Sequence, residues 1–182
     1  MRKLGYDCLV SGEKWWKVVL KCIKVVELQT IRKRVAHLFR GEYNHSVDTK
    51  GRLIIPSRFR EQLGDEFIVT RGLDGCLFVF PMNEWEAYEE KLRKLPTTNK
   101  NARSFVGFLT AGATSCEFDK QGRILLPATL RKFAGIEKDV VLAGLLNRIE
   151  IWSEEKWNQN NNYDEIDMDE IAGQLTELGL DI

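Results

Sequence analysis

The chain has 182 residues, 43% hydrophobic and 30% charged, and its 27 basic and 27 acidic side chains cancel to a formal net charge of zero. That is an ordinary globular composition, with no apolar run long enough to span a membrane. The four cysteines form no CxxC pair and the only histidines are His37 and His45, which excludes a disulfide framework and the clustered ligands of a zinc site. A nucleic-acid binder is usually basic overall, so a DNA surface here has to be a local patch, concentrated by assembly.

The charge is unevenly spread. Residues 1–37 hold nine Lys/Arg and three Asp/Glu, whereas residues 153–182 hold one and nine. The first segment reads Glu13-Lys14-Trp15-Trp16-Lys17-Val18-Val19-Leu20-Lys21 at its centre, and its lysines interrupt it too often for a signal peptide. It reads either as a basic amphipathic arm or, preferably, as an overcalled start. The unit that follows begins abruptly at Leu38-Phe39-Arg40-Gly41-Glu42-Tyr43, where a leucine can be a TTG start codon.

From there the chain repeats itself. Asp48-Thr49-Lys50-Gly51-Arg52-Leu53-Ile54-Ile55-Pro56 and Asp119-Lys120-Gln121-Gly122-Arg123-Ile124-Leu125-Leu126-Pro127 match at a constant offset of 71, and Arg60 and Gly64 recur as Arg131 and Gly135. So many ungapped matches indicate duplication. Asp-x-x-Gly is a turn signal, since Asp bonds its own backbone and Gly accepts a positive φ. The apolar triplet after each arginine reads as a short buried strand. Each proline suits a helix start and each later glycine a helix end, which predicts helices over 57–63 and 128–134. Phe67–Thr70 and Cys76–Phe80, around Gly72-Leu73-Asp74-Gly75, read as a hairpin. Val140–Ala143 and Ile149–Trp152 match them at an offset of 72, as Trp157 matches Trp85, each placed to pack back on its sheet. Cys76 and Cys116 read as buried small hydrophobes.

Between the repeats, Trp85, Tyr88, Leu92 and Leu95 fall at helical spacing, with Pro96 ending that helix. A second helix is predicted over 98–110, with Ala102, Phe105, Val106 and Leu109 on one face. The run Asn158-Gln159-Asn160-Asn161-Asn162 reads as a polar linker to an acidic helix over about 164–178. The organisation predicted is therefore an extension (1–37), a first unit (38–85), a helical connector (86–112), a second unit (113–157), and a linker with an acidic helix (158–182).

An Asp-x-x-Gly-Arg turn, an apolar triplet, a proline and a short helix together resemble the AbrB-like swapped-hairpin barrel. Two such units around a helical pair, with the opening Phe39–Tyr43 and the approach Ala113-Thr114-Ser115-Cys116-Glu117, resemble the MraZ family over about residues 38–182. The resemblance implies an α+β fold, mainly β, of two tandem barrel units with intervening and C-terminal helices. It further implies a cytoplasmic, nucleoid-associated transcriptional regulator of the division and cell-wall gene cluster, its own gene included. Such a protein, more often a repressor, binds double-stranded DNA at short G-rich direct repeats as a homo-oligomeric ring. The paired D-x-x-x-R motifs place the DNA-contacting arginines at Arg52 and Arg123. The extension gains a second meaning in that light. Tryptophan has a single codon, so Trp15-Trp16 is TGGTGG. With suitable codons at Ser11, Lys14 and Val18, three GTGG words recur about one helical turn apart upstream of Leu38.

Arginine reads a guanine edge bidentately or holds a phosphate. Lys50 and Lys120 in the turns add phosphate contacts, and Arg58, Arg60 and Arg131 on the helices extend the basic surface. Asp48, Gly51, Asp119 and Gly122 are expected to shape the turns, and each Asp–Arg pair also reads as a purely structural contact. No Cys–His pair, phosphate-binding loop or metal cluster points to an enzyme, a metal or a cofactor. The rival reading is an antitoxin-like or protein-interaction module on the same barrel.

Overall fold

The computed structural model describes residues 38–161 and 167–177. The readings of residues 1–37, of Cys8 and Cys22 and of the GTGG words lie outside the described residues. The class is α+β. Strands β1 (Phe39–Ser46) and β2 (Arg52–Ile54) precede helix α1 (Ser57–Leu63). Strands β3 (Glu66–Arg71) and β4 (Leu77–Pro81) lead into α2 (Met82–Arg93) and α3 (Lys100–Thr110). The pattern then recurs as β5 (Thr114–Glu117), β6 (Arg123–Leu125), α4 (Ala128–Ala134), β7 (Asp139–Leu146) and β8 (Arg148–Ser153). Helices α5 (Glu154–Asn160) and α6 (Met168–Glu177) follow.

Local chemistry sets the boundaries. Pro56 and Pro127 sit just before α1 and α4, with the φ near −50° to which the proline ring holds them. Gly135 ends α4 in the left-handed region, where the Ile136 N–H reaches back to the Arg131 carbonyl. Asn99 caps α3 through its side-chain oxygen, which accepts from the Asn101 and Ala102 N–H groups. The face of α3 differs from expectation. Leu109 is fully buried, but Phe105 is exposed, and the half-buried Phe108 packs edge-on against the half-buried Phe133 of α4.

The two repeats are exchanged into one body. The large antiparallel sheet runs β1-β7-β8-β4-β3-β5, and β2 pairs with β6 in a separate two-stranded ribbon. The first strand of each repeat thus pairs with the other repeat: β1 with β7, and β5 with β3. The registers are symmetric. Leu53 lies opposite Ile124, its counterpart at offset 71, and Phe78 lies opposite Glu150, its counterpart at offset 72. A pseudo-twofold axis therefore passes through both pairs.

Both faces of the sheet are covered, so its central strands are apolar throughout rather than alternating. Leu77, Val79, Val140, Leu142, Ile149 and Ile151 pack towards the ribbon and its two helices, against Leu53, Phe59, Ile124 and Leu130. On the opposite face Ile68, Phe78, Phe80 and Trp152 are closed over by Trp85 of α2, with Trp157 of α5 packed alongside. α3 joins this side where the buried Thr70 hydroxyl of β3 donates to the Leu109 carbonyl at 2.5 Å. Glu150, buried in the sheet, accepts from Arg148 and from the Trp152 indole, so its charge is paired, as burial requires.

Candidate nucleic-acid interface

Each Asp-x-x-Gly-Arg segment folds into the same closed turn. Asp48 Oδ1 accepts the backbone N–H groups of Lys50 and Arg52, both at 2.9 Å, and its Oδ2 receives Arg52 Nε at 2.7 Å and Nη2 at 2.6 Å. Asp119 repeats this with Gln121, Arg123 Nε at 2.8 Å and Arg123 Nη2 at 2.7 Å. Four N–H groups on one carboxylate stabilise its charged form. The Arg52 side chain and backbone hold the Asp48 carboxyl down at about 2, and Arg123 does the same for Asp119, also at about 2.

The structural and DNA-contact readings of these arginines use different edges of the guanidinium. Asp48 occupies the Nε side of Arg52, and Asp119 that of Arg123. On the terminal edge Nη2 has one hydrogen engaged by the aspartate and a second to spare, and Nη1 has no protein partner among the described residues. That edge matches the paired acceptors of guanine or of a phosphate. The aspartate fixes the rotamer in advance, which lowers the ordering cost of a contact.

The turns sit at opposite ends of the ribbon, and each is overlaid by an arginine from the other repeat. Gly51 and Gly122 have φ of +82° and +73°, where only glycine is unstrained. They are buried because the Arg131 guanidinium lies over Gly51 and the Arg60 guanidinium over Gly122. Arg131 Nε also donates to the Leu126 carbonyl, while Arg60 Nε is buried without a hydrogen-bond partner. Lys50 and Lys120 are exposed at the turn tips, and Arg58 is exposed on α1. The first turn therefore joins Lys50, Arg52 and Arg131 to Asp48, and the second joins Lys120, Arg123 and Arg60 to Asp119. Each turn thus gathers three basic side chains around one carboxylate.

The ribbon corrects one expectation. Its apolar triplets are not wholly buried. Leu53 and Ile124 point inward, but Ile54 and Leu125 are 49% and 62% exposed. Strand alternation makes this unavoidable: Arg52 and Ile54 share one face of β2, Arg123 and Leu125 one face of β6. Arg52 pairs with Leu125 and Ile54 with Arg123, so the outward face is a quilt of two diagonal arginines and two aliphatics. The period-2 signal was present in the sequence, but three apolar residues in a row masked it.

Cys76 and Cys116 are buried, and desolvation pushes both thiols up; neither is poised as a nucleophile. Among the described residues no cluster of three His, Cys, Asp or Glu side chains could hold a metal ion. No helix among them is long and apolar enough to cross a membrane.

Comparison with known proteins finds the same two-part organisation. The family model described as "MraZ protein, putative antitoxin-like" matches twice, over residues 38–108 and 109–177. The transcriptional regulator MraZ of Alkaliphilus metalliredigens is 57% identical over 143 residues, 79% of this chain and 100% of that protein. Those of Clostridium tetani and Halothermothrix orenii are 56% and 54% identical with the same coverage. With a family model on each repeat and relatives matched over their whole length, the chain belongs to the MraZ family.

Proposed function

We propose that the protein is a sequence-specific, double-stranded-DNA-binding transcriptional regulator, acting as a repressor on the division and cell-wall gene cluster that contains its own gene. One observation carries the reading: an outward arginine at each end of one ribbon, held by an aspartate on one edge and open on the other. Arg52 and Arg123 read G-rich direct repeats, while Lys50, Lys120, Arg58 and Arg60 hold phosphates. The names of the relatives support regulation of transcription.

A single copy has few cations, so affinity comes from repetition in a homo-oligomeric ring, where tethered sites act at high effective concentration. The site of action is the cytoplasmic nucleoid. Residues 38–85 and 113–157 are its two barrel units, 86–112 the connector and 158–182 the tail.

A footprint on the gene's upstream region tests this. Protection of G-rich repeats spaced by one helical turn, lost with Arg52→Ala, is the expected result. Normal binding by that variant refutes the assignment of Arg52. Absence of any specific protection leaves the antitoxin-like interaction module.

A further inference from the structure

On the sheet face away from the ribbon, α2 and α3 enclose an open groove of about 510 Å³. Its floor is apolar, built from Leu92, Leu95, Pro96 and Val106, and Arg93 and Arg103 stand on its rim. Arg103 also clasps the connecting loop, donating to the Thr97 and Thr98 carbonyls. Glu89, the acid in the wall, is engaged by the Trp85 indole and offset by Arg93, so the net positive charge of the rim is that of Arg103. Gly107 faces the same groove with nothing within reach of a β-carbon. A glycine weakens a helix interior, and here it leaves room for a close-packed backbone.

The chain holds a segment of the opposite character. Helix α6 has no buried residue. Met168, Ile171, Ala172 and Leu175 fall on one stripe at i, i+3, i+4 and i+7, with Met168 47% and Ile171 41% exposed. Asp169, Glu170 and Glu177 lie off that stripe, and Asp167 immediately precedes the helix. Asp167 caps it by accepting from the Asp169 and Glu170 N–H groups.

We propose that α6 of a second copy of this chain lies in the α2–α3 groove, with Ile171 and Leu175 on Leu92 and Val106 and its carboxylates against Arg93 and Arg103. This deepens the assembly part of the proposed function and rests on it. Met168, Ile171 and Ala172 stay exposed and Leu175 partly so although groove and helix belong to one chain, and the helix is acidic where the rim carries arginines. The apolar floor of Leu92, Leu95, Pro96 and Val106 suits the apolar stripe of a helix rather than a phosphate backbone. Each copy offers one helix and one groove, so copies joined head to tail form a ring when the rotation between neighbours closes.

The test uses the full chain without DNA. Light scattering after size exclusion is expected to show the parent as an oligomer and Ile171→Asp as a smaller species with an unchanged melting temperature. The exposure of that side chain keeps the barrel out of the change. In a mixture of Val106→Cys chains and Ile171→Cys chains, oxidation is expected to link position 106 of one chain to position 171 of another, identified by peptide mass spectrometry. Assembly of Ile171→Asp like the parent, or a link formed only within a chain carrying both substitutions, overturns this interface and leaves the ring reading standing. A monomeric parent overturns both. Operator binding is read separately by the footprint.

Discussion

Gly122→Ala separates the backbone of the second turn from the arginine above it. The new β-carbon meets two penalties. At φ +73° an L-residue costs about 1–2 kcal/mol. The same atom falls on the Arg60 guanidinium, which has to move. That second penalty is small, because the obstacle is the far end of a flexible side chain and its buried Nε has no partner to lose. Gly135→Ala is the control: its φ is +68°, and its β-carbon meets only ordinary contact with Lys156 at 3.6 Å. Both variants are therefore expected to lose about 1–2 kcal/mol, a fall in Tm of about 2–4 °C per kcal/mol for a chain of this size. Only Gly122→Ala displaces a cation from the proposed DNA surface. Gel shifts at several salt concentrations are expected to show weaker binding and a salt slope shallower by about one phosphate contact per site, with Gly135→Ala binding like the parent. Equal DNA binding by both variants would refute the phosphate contact proposed for Arg60.

Arg52→Ala is expected to lower operator affinity by at least about tenfold, the loss of one bidentate base contact, while size exclusion shows the parent's assembly. The two aspartates predict acid sensitivity. Their carboxyls sit at about 2 in the folded chain against an ordinary 3.8, so their stabilisation is complete above pH 3.8 and is lost as pH falls through 2. Thermal melts between pH 5 and 2 are expected to flatten in the Asp48→Asn, Asp119→Asn double variant. Ile124→Ala removes a side chain that is 1% exposed, on the pseudo-twofold axis of the ribbon. It is expected to cost about 2–5 kcal/mol, read by urea unfolding, whereas Leu125→Ala, at 62% exposure, leaves the midpoint nearly unchanged.

The sequence by itself determined whatever is set within a few residues. Prolines before and glycines after them bracket α1 and α4 at the residues expected, because φ restriction and positive-φ tolerance are properties of single residues. The Asp48–Arg52 and Asp119–Arg123 turns were legible for the same reason: donor and acceptor lie four residues apart and meet whatever the rest of the chain does. The duplication was visible as an offset, and with it the existence of two equivalent turns. Only the tertiary structure decided what those turns face. Arg60 and Arg131 reach the turn of the opposite repeat, a contact between residues about 60 or more positions apart that no local pattern encodes. The exchange of β1 and β5 between repeats depends on which edges remain open once the shared core closes. Phe108 rather than Phe105 is partly covered because α4 presents Phe133 beside it. Ile54 and Leu125 face outward because the ribbon has one core side, and strand pleating sends every second side chain to the other.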